Sequence, residues 1–252
     1  MRLFTVTLAY APARTLIAGL DRYYDTTANP GRRHILIDQH YPLNSGAINL
    51  VIEEMCRRYR IEYVDPRKNL GYHGGFNFAM EHLDKEMSDD DAILCYDPDA
   101  WPDEKRWDTA LEDAFDTCPD MATCGVLNPR SRKEISDRGY TDRGSVWITH
   151  KPIVASLQAW RKGFIRKAGG FKEPRPYYGG IEAEMWPRLQ EQGKTWGMLS
   201  KFNEIEILRD WKDPEYRAWQ WAHAHETSFQ GDFAAFVAAG CPTRGPVPAR
   251  IP

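Results

Sequence analysis

The sequence has no apolar stretch near the ~18 residues that a membrane-spanning helix requires. Its longest late apolar run, Phe233 to Gly240, is short and alanine-rich. The first residues, Met1-Arg2-Leu3-Phe4-Thr5-Val6, lack the basic segment, apolar segment and cleavage site of a signal peptide and read at once as a strand. Five cysteines (Cys56, Cys95, Cys118, Cys124, Cys241) form no close pair and no metal-ligand spacing. That excludes a disulfide scaffold or zinc module, predicts reduced thiols in a cytoplasmic setting, and leaves Cys56, Cys95 and Cys124 as small buried hydrophobes. Positive charge is not in excess either. The 33 Lys+Arg against 36 Asp+Glu give a net charge of −3, which excludes a chain that coats nucleic acid with its whole surface. There is no internal repeat and no low-complexity tract. With 252 residues, 42% of them hydrophobic, the chain is long enough to bury a sizeable core in one large or two small domains.

The first half alternates short apolar runs with amphipathic segments. Leu3 to Ala9, His34 to Asp38, Ile61 to Val64, Ala92 to Tyr96 and Met121 to Leu127 read as strands. Between them, Ala13 to Tyr24 reads as a helix. Ile48, Val51, Ile52, Met55, Cys56 and Tyr59 form a stripe at helical spacing, as do Phe76, Ala79, Met80 and Leu83, and Trp107, Leu111, Ala114 and Phe115. This alternation predicts an α/β fold: an open, mainly parallel twisted sheet flanked by helices. After Asn128 the pattern loosens. Residues 129–144, rich in Arg, Asp, Ser and Gly, read as a mobile loop, followed by strands over 145–150 and 154–160. A helix is expected over Ile181 to Gln192, stopped by Gly193, and another over Pro214 to His225, before a proline-rich tail.

In such a sheet ligands bind beyond the carboxyl ends of the strands, and four polar groups stand there. Asp38 ends the second strand, where it either accepts hydrogen bonds from a ribose or base or caps the following loop. Asn69-Leu70-Gly71-Tyr72-His73-Gly74-Gly75-Phe76-Asn77 opens a helix, and its glycines allow a ligand close to free N–H groups. Arg67 and Lys68 stand just before it, positioned to face an anion. The segment is neither a Walker loop nor a dinucleotide fingerprint. Asp97-Pro98-Asp99 offers two hard oxygen ligands, stiffened by the proline, that suit one divalent cation. The preceding Asp89-Asp90-Asp91 run reads as solvated. Finally, Glu182 and Glu184 open the helix after Tyr177-Tyr178-Gly179-Gly180, either complementing its dipole or supplying a general base.

The order of these signals resembles the family two glycosyltransferases of GT-A fold, over about Leu3 to Gly197. Asn69, Gly71 and Asn77 match the family's Asn-X-Gly segment and its later Asn. Asp97 and Asp99 match its metal-binding Asp-X-Asp, and Asp38 matches its nucleoside-contacting acid. Lys162 to Phe171 looks like the stretch leading into its Gly-Gly-Phe. The family's late Glu-Asp pair departs here: counting back from Arg188, Glu182 takes the Asp position and Ile181 the Glu position. The resemblance implies a nucleotide-diphosphate sugar donor, a UDP-sugar first among them, and a Mn²⁺ or Mg²⁺ ion at Asp97 and Asp99. It also implies inverting hexosyl transfer with Glu182 as base. Asp38, Arg67, Lys68, Asn69, Gly71, Asn77 and Asp97 would hold the donor. His223 or His225 would be a further metal ligand, the alternative being ordinary polar residues of a terminal helix. Residues 1–128 would then be the nucleotide-sugar half, 129–212 a smaller acceptor-side half, and 213–252 a C-terminal helical segment and tail. Seven tryptophans of the second half (Trp147, Trp160, Trp186, Trp196, Trp211, Trp219 and Trp221) suit either core packing or stacking on a glycan or a modified DNA base. A non-catalytic nucleotide-sugar-binding module and a nucleotidyltransferase on a related sheet stand as alternatives.

Overall fold

The computed structural model describes residues 1–10, 13–40, 46–127, 129–152, 155, 157–172, 181–206, 214, 218–219, 222 and 233–240, with the backbone alone for 14, 46–48, 129–131, 138, 182–183, 203–206 and 233–234. The strands are β1 (Leu3–Ala9), β2 (His34–Asp38), β3 (Glu62–Val64), β4 (Ala92–Tyr96), β5 (Ala100–Pro102), β6 (Met121–Leu127), β7 (Tyr140–Asp142), β8 (Val146–Thr149), β9 (Leu157–Arg161) and β10 (Thr195–Glu206). The helices are α1 (Ala13–Thr26), α2 (Gly46–Tyr59), α3 (Gly71–His82), α4 (Trp107–Thr117), α5 (Pro129–Arg138), α6 (Lys162–Ala168), α7 (Ile181–Glu191) and α8 (Phe233–Ala238).

The sheet order is β3-β2-β1-β4-β9-β6-β10-β8-β7, with β5 paired to β10 off this path. Strands β3, β2, β1 and β4 are mutually parallel. Strand β9 is antiparallel to both β4 and β6, so β6 points the same way as β4, and β10 runs parallel to β6. The sheet is thus mixed but mostly of one direction. Every residue of β1, β2, β4 and β6 is buried. This is the mark of strands covered on both faces, and it explains why they read as continuous apolar runs. On one face lie Leu16, Leu20, Ile52, Met55 and Leu111 of α1, α2 and α4. On the other lie Phe76, Phe164, Ile165, Met185 and Leu189 of α3, α6 and α7.

Two expectations are corrected. Residues 129–144 do not form a loop: α5 and the edge strand β7 occupy most of the segment, and Ile135, 1% exposed, anchors α5 to the core. One apolar residue among charges gives little periodicity, so the helix was invisible in the pattern. In the Asp89-Asp90-Asp91 run, Asp89 and Asp90 are exposed as expected, but Asp91 is not. Asp91 is buried and accepts hydrogen bonds from the Ser88 N–H (2.8 Å) and from the N–H (2.9 Å) and guanidinium (2.7 Å) of Arg2. Burial alone would raise its carboxyl, but these donors hold it below the usual range. Strand β10 had no alternating signal of its own. Trp160 and Trp196 are buried in edge-to-face contact with ring centroids 5.1 Å apart, and Trp219 is buried beside Tyr10, so these three are core residues. Cys56, Cys95, Cys118 and Cys124 are buried thiols, none of them in a disulfide. Among the described residues, no helix is long and apolar enough to cross a membrane.

Candidate functional site

The chain builds β1, β2 and β3 outward, then returns to the other side of β1 to lay down β4. This reversal lies between β1 and β4, whose carboxyl ends are the position where open α/β sheets bind ligands. The Asp97-Pro98-Asp99 turn leaves β4 at that point. Asp97 and Asp99 are partly exposed while Pro98 is buried. The Ala100 N–H closes the turn on the Asp97 carbonyl at 3.1 Å. Beneath it, the Tyr96 hydroxyl, buried in the core, donates to the Gly19 carbonyl of α1 at 2.7 Å. Gly19 itself faces the turn so closely that a Cβ there would lie 1.9 Å from the Pro98 carbonyl oxygen. An isolated glycine inside a helical pattern was the signal for this contact, and the sequence reading passed over it.

On the neighbouring strand Asp38 is 8% exposed. One of its oxygens accepts the His40 N–H at 2.7 Å, the other the Tyr63 hydroxyl. Burial, followed by this carboxylate, pushes the Tyr63 phenol up. His40 extends the chain of contacts to Asp65 at 2.8 Å, and Asp65 also accepts the Arg67 N–H at 2.6 Å. That N–H, then His40, holds the Asp65 carboxyl below its usual range. Asp38 therefore does cap its own loop, as one of its two sequence readings had it. Arg67 takes a left-handed backbone (φ 63°) and leaves its side chain 90% exposed, and Lys68 is exposed beside it.

Asn69 accepts the Gly71 N–H at 2.8 Å, and Gly71 has φ 71°, which a residue with a Cβ adopts at a cost. Gly75 serves packing rather than ligand approach: a Cβ there would meet Leu8 of β1 at 2.7 Å. Asn77 spends its amide on the backbone. Its Nδ2 donates to the Phe171 carbonyl at 2.7 Å and its Oδ1 accepts the Phe171 N–H at 2.9 Å, tying α3 to the Gly169-Gly170-Phe171 turn. Gln39, which the sequence reading did not single out, is 1% exposed, and its Oε1 accepts the Leu70 N–H at 2.8 Å. It thus holds the start of α3 against the end of β2. Its signal was only its place beside Asp38.

Glu182 is the second residue of α7, whose N-terminal end lies at the carboxyl edge because the helix runs back along the sheet before β10. Its side chain, with Tyr177 to Gly180, His223 and His225, lies outside the described residues. Arg188 fixes the helix, donating to the Ala168 carbonyl and pairing with Glu184 at 3.7 Å.

No family model and no curated protein matches the sequence. Solved structures do match. A mannosyltransferase from Pyrobaculum calidifontis, in complex with GDP-Man and Mn²⁺, superposes with a TM-score of 0.65 at 13% identity, over 97% of this chain and 66% of that one. GalNAc-T7 with UDP, GalNAc and Mn²⁺ superposes with a TM-score of 0.65 at 10% identity, over 94% of this chain and 53% of that one. The fold is that of the GT-A-type glycosyltransferases. The chain spans less than two thirds of the length of either structure. In this GT-A fold, Asp38, the Arg67–Gly71 segment and Asp97-Pro98-Asp99 come together along the carboxyl ends of β2, β3 and β4.

Proposed function

We propose that the chain is a glycosyltransferase that moves a hexose from a nucleotide-diphosphate sugar to an acceptor hydroxyl with inversion. The observation that carries this reading is the stiff, partly exposed pair Asp97 and Asp99, set at the strand-order reversal of a GT-A sheet. Two carboxylates are a hard-oxygen donor set that fits Mn²⁺ or Mg²⁺. Among the described residues no third His, Cys, Asp or Glu joins them in a ligand group; Asp97 and Asp99 would hold the ion, with His223 or His225 as further candidates. Bound there, the ion supplies neutralisation of the charge that develops on the departing diphosphate.

The chain's own residues do the rest. Asp38 accepts hydrogen bonds from the donor nucleoside, exchanging the Tyr63 hydroxyl for it. Arg67, on a left-handed turn and paired with Asp65 at 3.6 Å, and the exposed Lys68 place positive charge beside the phosphates. Asn69 and Gly71 shape the backbone that approaches the donor, and Asn77 holds that helix through Phe171. Glu182 takes the acceptor proton as its oxygen attacks the anomeric carbon and the C–O bond to the diphosphate breaks. The donor is a UDP-sugar or GDP-mannose, since one structural neighbour is complexed with UDP and the other with GDP-Man.

The test is a thermal-shift screen of UDP- and GDP-sugars with and without Mn²⁺. A ligand at about 100 times its Kd stabilises by about 2.7 kcal/mol, which is about 5–10 °C in Tm at this length. The reading expects that rise only with Mn²⁺ and its loss in Asp97→Asn. A screen without any Mn²⁺-dependent rise overturns it.

A further inference from the structure

The sheet buries one large apolar cluster on each face, and a third, small cluster lies apart from both. Its buried members are Trp219, Ala222 and Phe236, with Ala218, Val237 and Tyr10 packed against them. All but Tyr10 belong to the chain after β10. Tyr10 is the member from the α/β body. It meets Trp219 edge to face, with ring centroids 6.3 Å apart and planes at 63°, a favoured geometry for an aromatic pair.

The register says where that contact lies. Ala9, the last residue of β1, pairs with Asp38 on one side, and Thr7 pairs with Tyr96 on the other, one residue before Asp97. Tyr10 follows Ala9, so it stands beyond the carboxyl end of β1, between the strand ends that carry Asp38 and Asp97. Its backbone is held there: the Tyr10 N–H donates to the Leu8 carbonyl at 2.9 Å, and the Gln39 N–H donates to the Ala9 carbonyl at 3.3 Å. The third cluster is therefore seated at the strand-order reversal itself, beside the residue proposed to meet the donor nucleoside.

Its size decides how it responds. A satellite cluster with few buried apolar side chains holds its segment far less firmly than the two sheet-face cores hold theirs. A ligand that touches such a unit only when it is docked shifts its equilibrium, and the unit in turn shifts the ligand's affinity by the same factor. Trp219, 2% exposed, is the group that ties this cluster to the body. Loss of its indole would free Tyr10 on that side while leaving both sheet-face cores intact.

We propose that Trp219 is a positioning residue of the donor site: seated on Tyr10, it makes the third cluster a wall of the nucleoside pocket, so that nucleotide binding and docking of this cluster stabilise each other. This rests on the transferase reading. The full chain is titrated calorimetrically with UDP and with GDP, each in the presence of Mn²⁺. Trp219→Ala should weaken the nucleotide that binds by about two- to tenfold, the worth of one edge-to-face ring pair, and Trp219→Phe, which keeps a ring against Tyr10, should restore most of that loss. In the wild-type chain, bound nucleotide should slow amide exchange over residues 218–222. Phe236→Ala loosens the same cluster without touching the Trp219 indole, and it serves as second variant if Trp219→Ala does not fold. Affinity indifferent to both alanine variants, a loss that Trp219→Phe does not restore, or exchange over 218–222 unchanged by nucleotide overturns the wall. If neither nucleotide binds the wild-type chain with Mn²⁺, the transferase reading falls and this role with it, whereas full binding by the alanine variants removes the role of Trp219 alone.

Discussion

Gly19→Ala separates positioning from stability. The new Cβ would stand 1.9 Å from the Pro98 carbonyl oxygen, and real Cβ atoms essentially never approach closer than 3.0 Å. Helix α1 and the Asp97-Pro98-Asp99 turn must therefore part by at least 1.1 Å. The opposing atom is backbone, held by the Ala100 N–H and seated over the Tyr96–Gly19 hydrogen bond, so no flexible side chain absorbs the motion. Overpacking of this kind costs about 1–3 kcal/mol, while replacing a mid-helix glycine with alanine returns about 1 kcal/mol. Stability should then fall by no more than about 2 kcal/mol. The reacting geometry has no such compensation: a displacement of about 1 Å costs about 100-fold in rate. The assay is Mn²⁺-dependent release of nucleoside diphosphate from the donor that the thermal-shift screen identifies, with Tm measured in parallel. Gly31→Ala is the control, because its nearest neighbour would be at an ordinary 3.5 Å. An undiminished rate in Gly19→Ala would refute the idea that α1 seats the metal turn.

Three further outcomes are expected. Asn77→Ala removes both hydrogen bonds to Phe171 and should cost about 1–3 kcal/mol in urea unfolding; donor affinity falling instead, at full stability, would make Asn77 a donor contact. Asp108→Ala leaves the Arg32 guanidinium, 5% exposed, with Glu112 as its remaining carboxylate partner and strips the Thr27 hydroxyl (2.9 Å) and the Ala28 (2.9 Å) and Asn29 (3.1 Å) N–H groups of theirs, so a loss of about 1–3 kcal/mol is expected by the same method. On acidification, His34, bonded to Thr7 at 2.9 Å and Tyr24 at 2.8 Å, is lowered by burial to about 3, and His73 likewise to about 4. Both are neutral when folded. Their contribution is therefore complete above about pH 6.5 and is lost below it at roughly 1.4 kcal/mol per unit each. Asp91, held low, gives way only at more acid pH. His34→Gln should flatten the slope between about pH 6.5 and 4.5, and an unchanged slope would show that His34 is not its source.

The sequence by itself determined the doubly covered half of the sheet. A strand buried on both faces is mostly apolar, so β1, β2, β4 and β6 were legible to within a residue, as were the stripes of α2, α3 and α4. It also marked which residues end those strands, because a carboxylate directly after an apolar run has nowhere to go but the edge. Only the tertiary structure decided what those residues do. Asp38 is shared between His40 and Tyr63, Asn77 is bound to a backbone 94 positions away, and Gly19 supports a turn that follows three intervening strands. Strand β10 and helix α5 gave no periodic signal because each is defined by its partners: β10 by β6, β8 and β5 in turn, α5 by a single buried Ile135. Local pattern records how a segment is solvated; a hydrogen bond or a close approach between distant segments depends on where the chain returns, and no single stretch of sequence contains that.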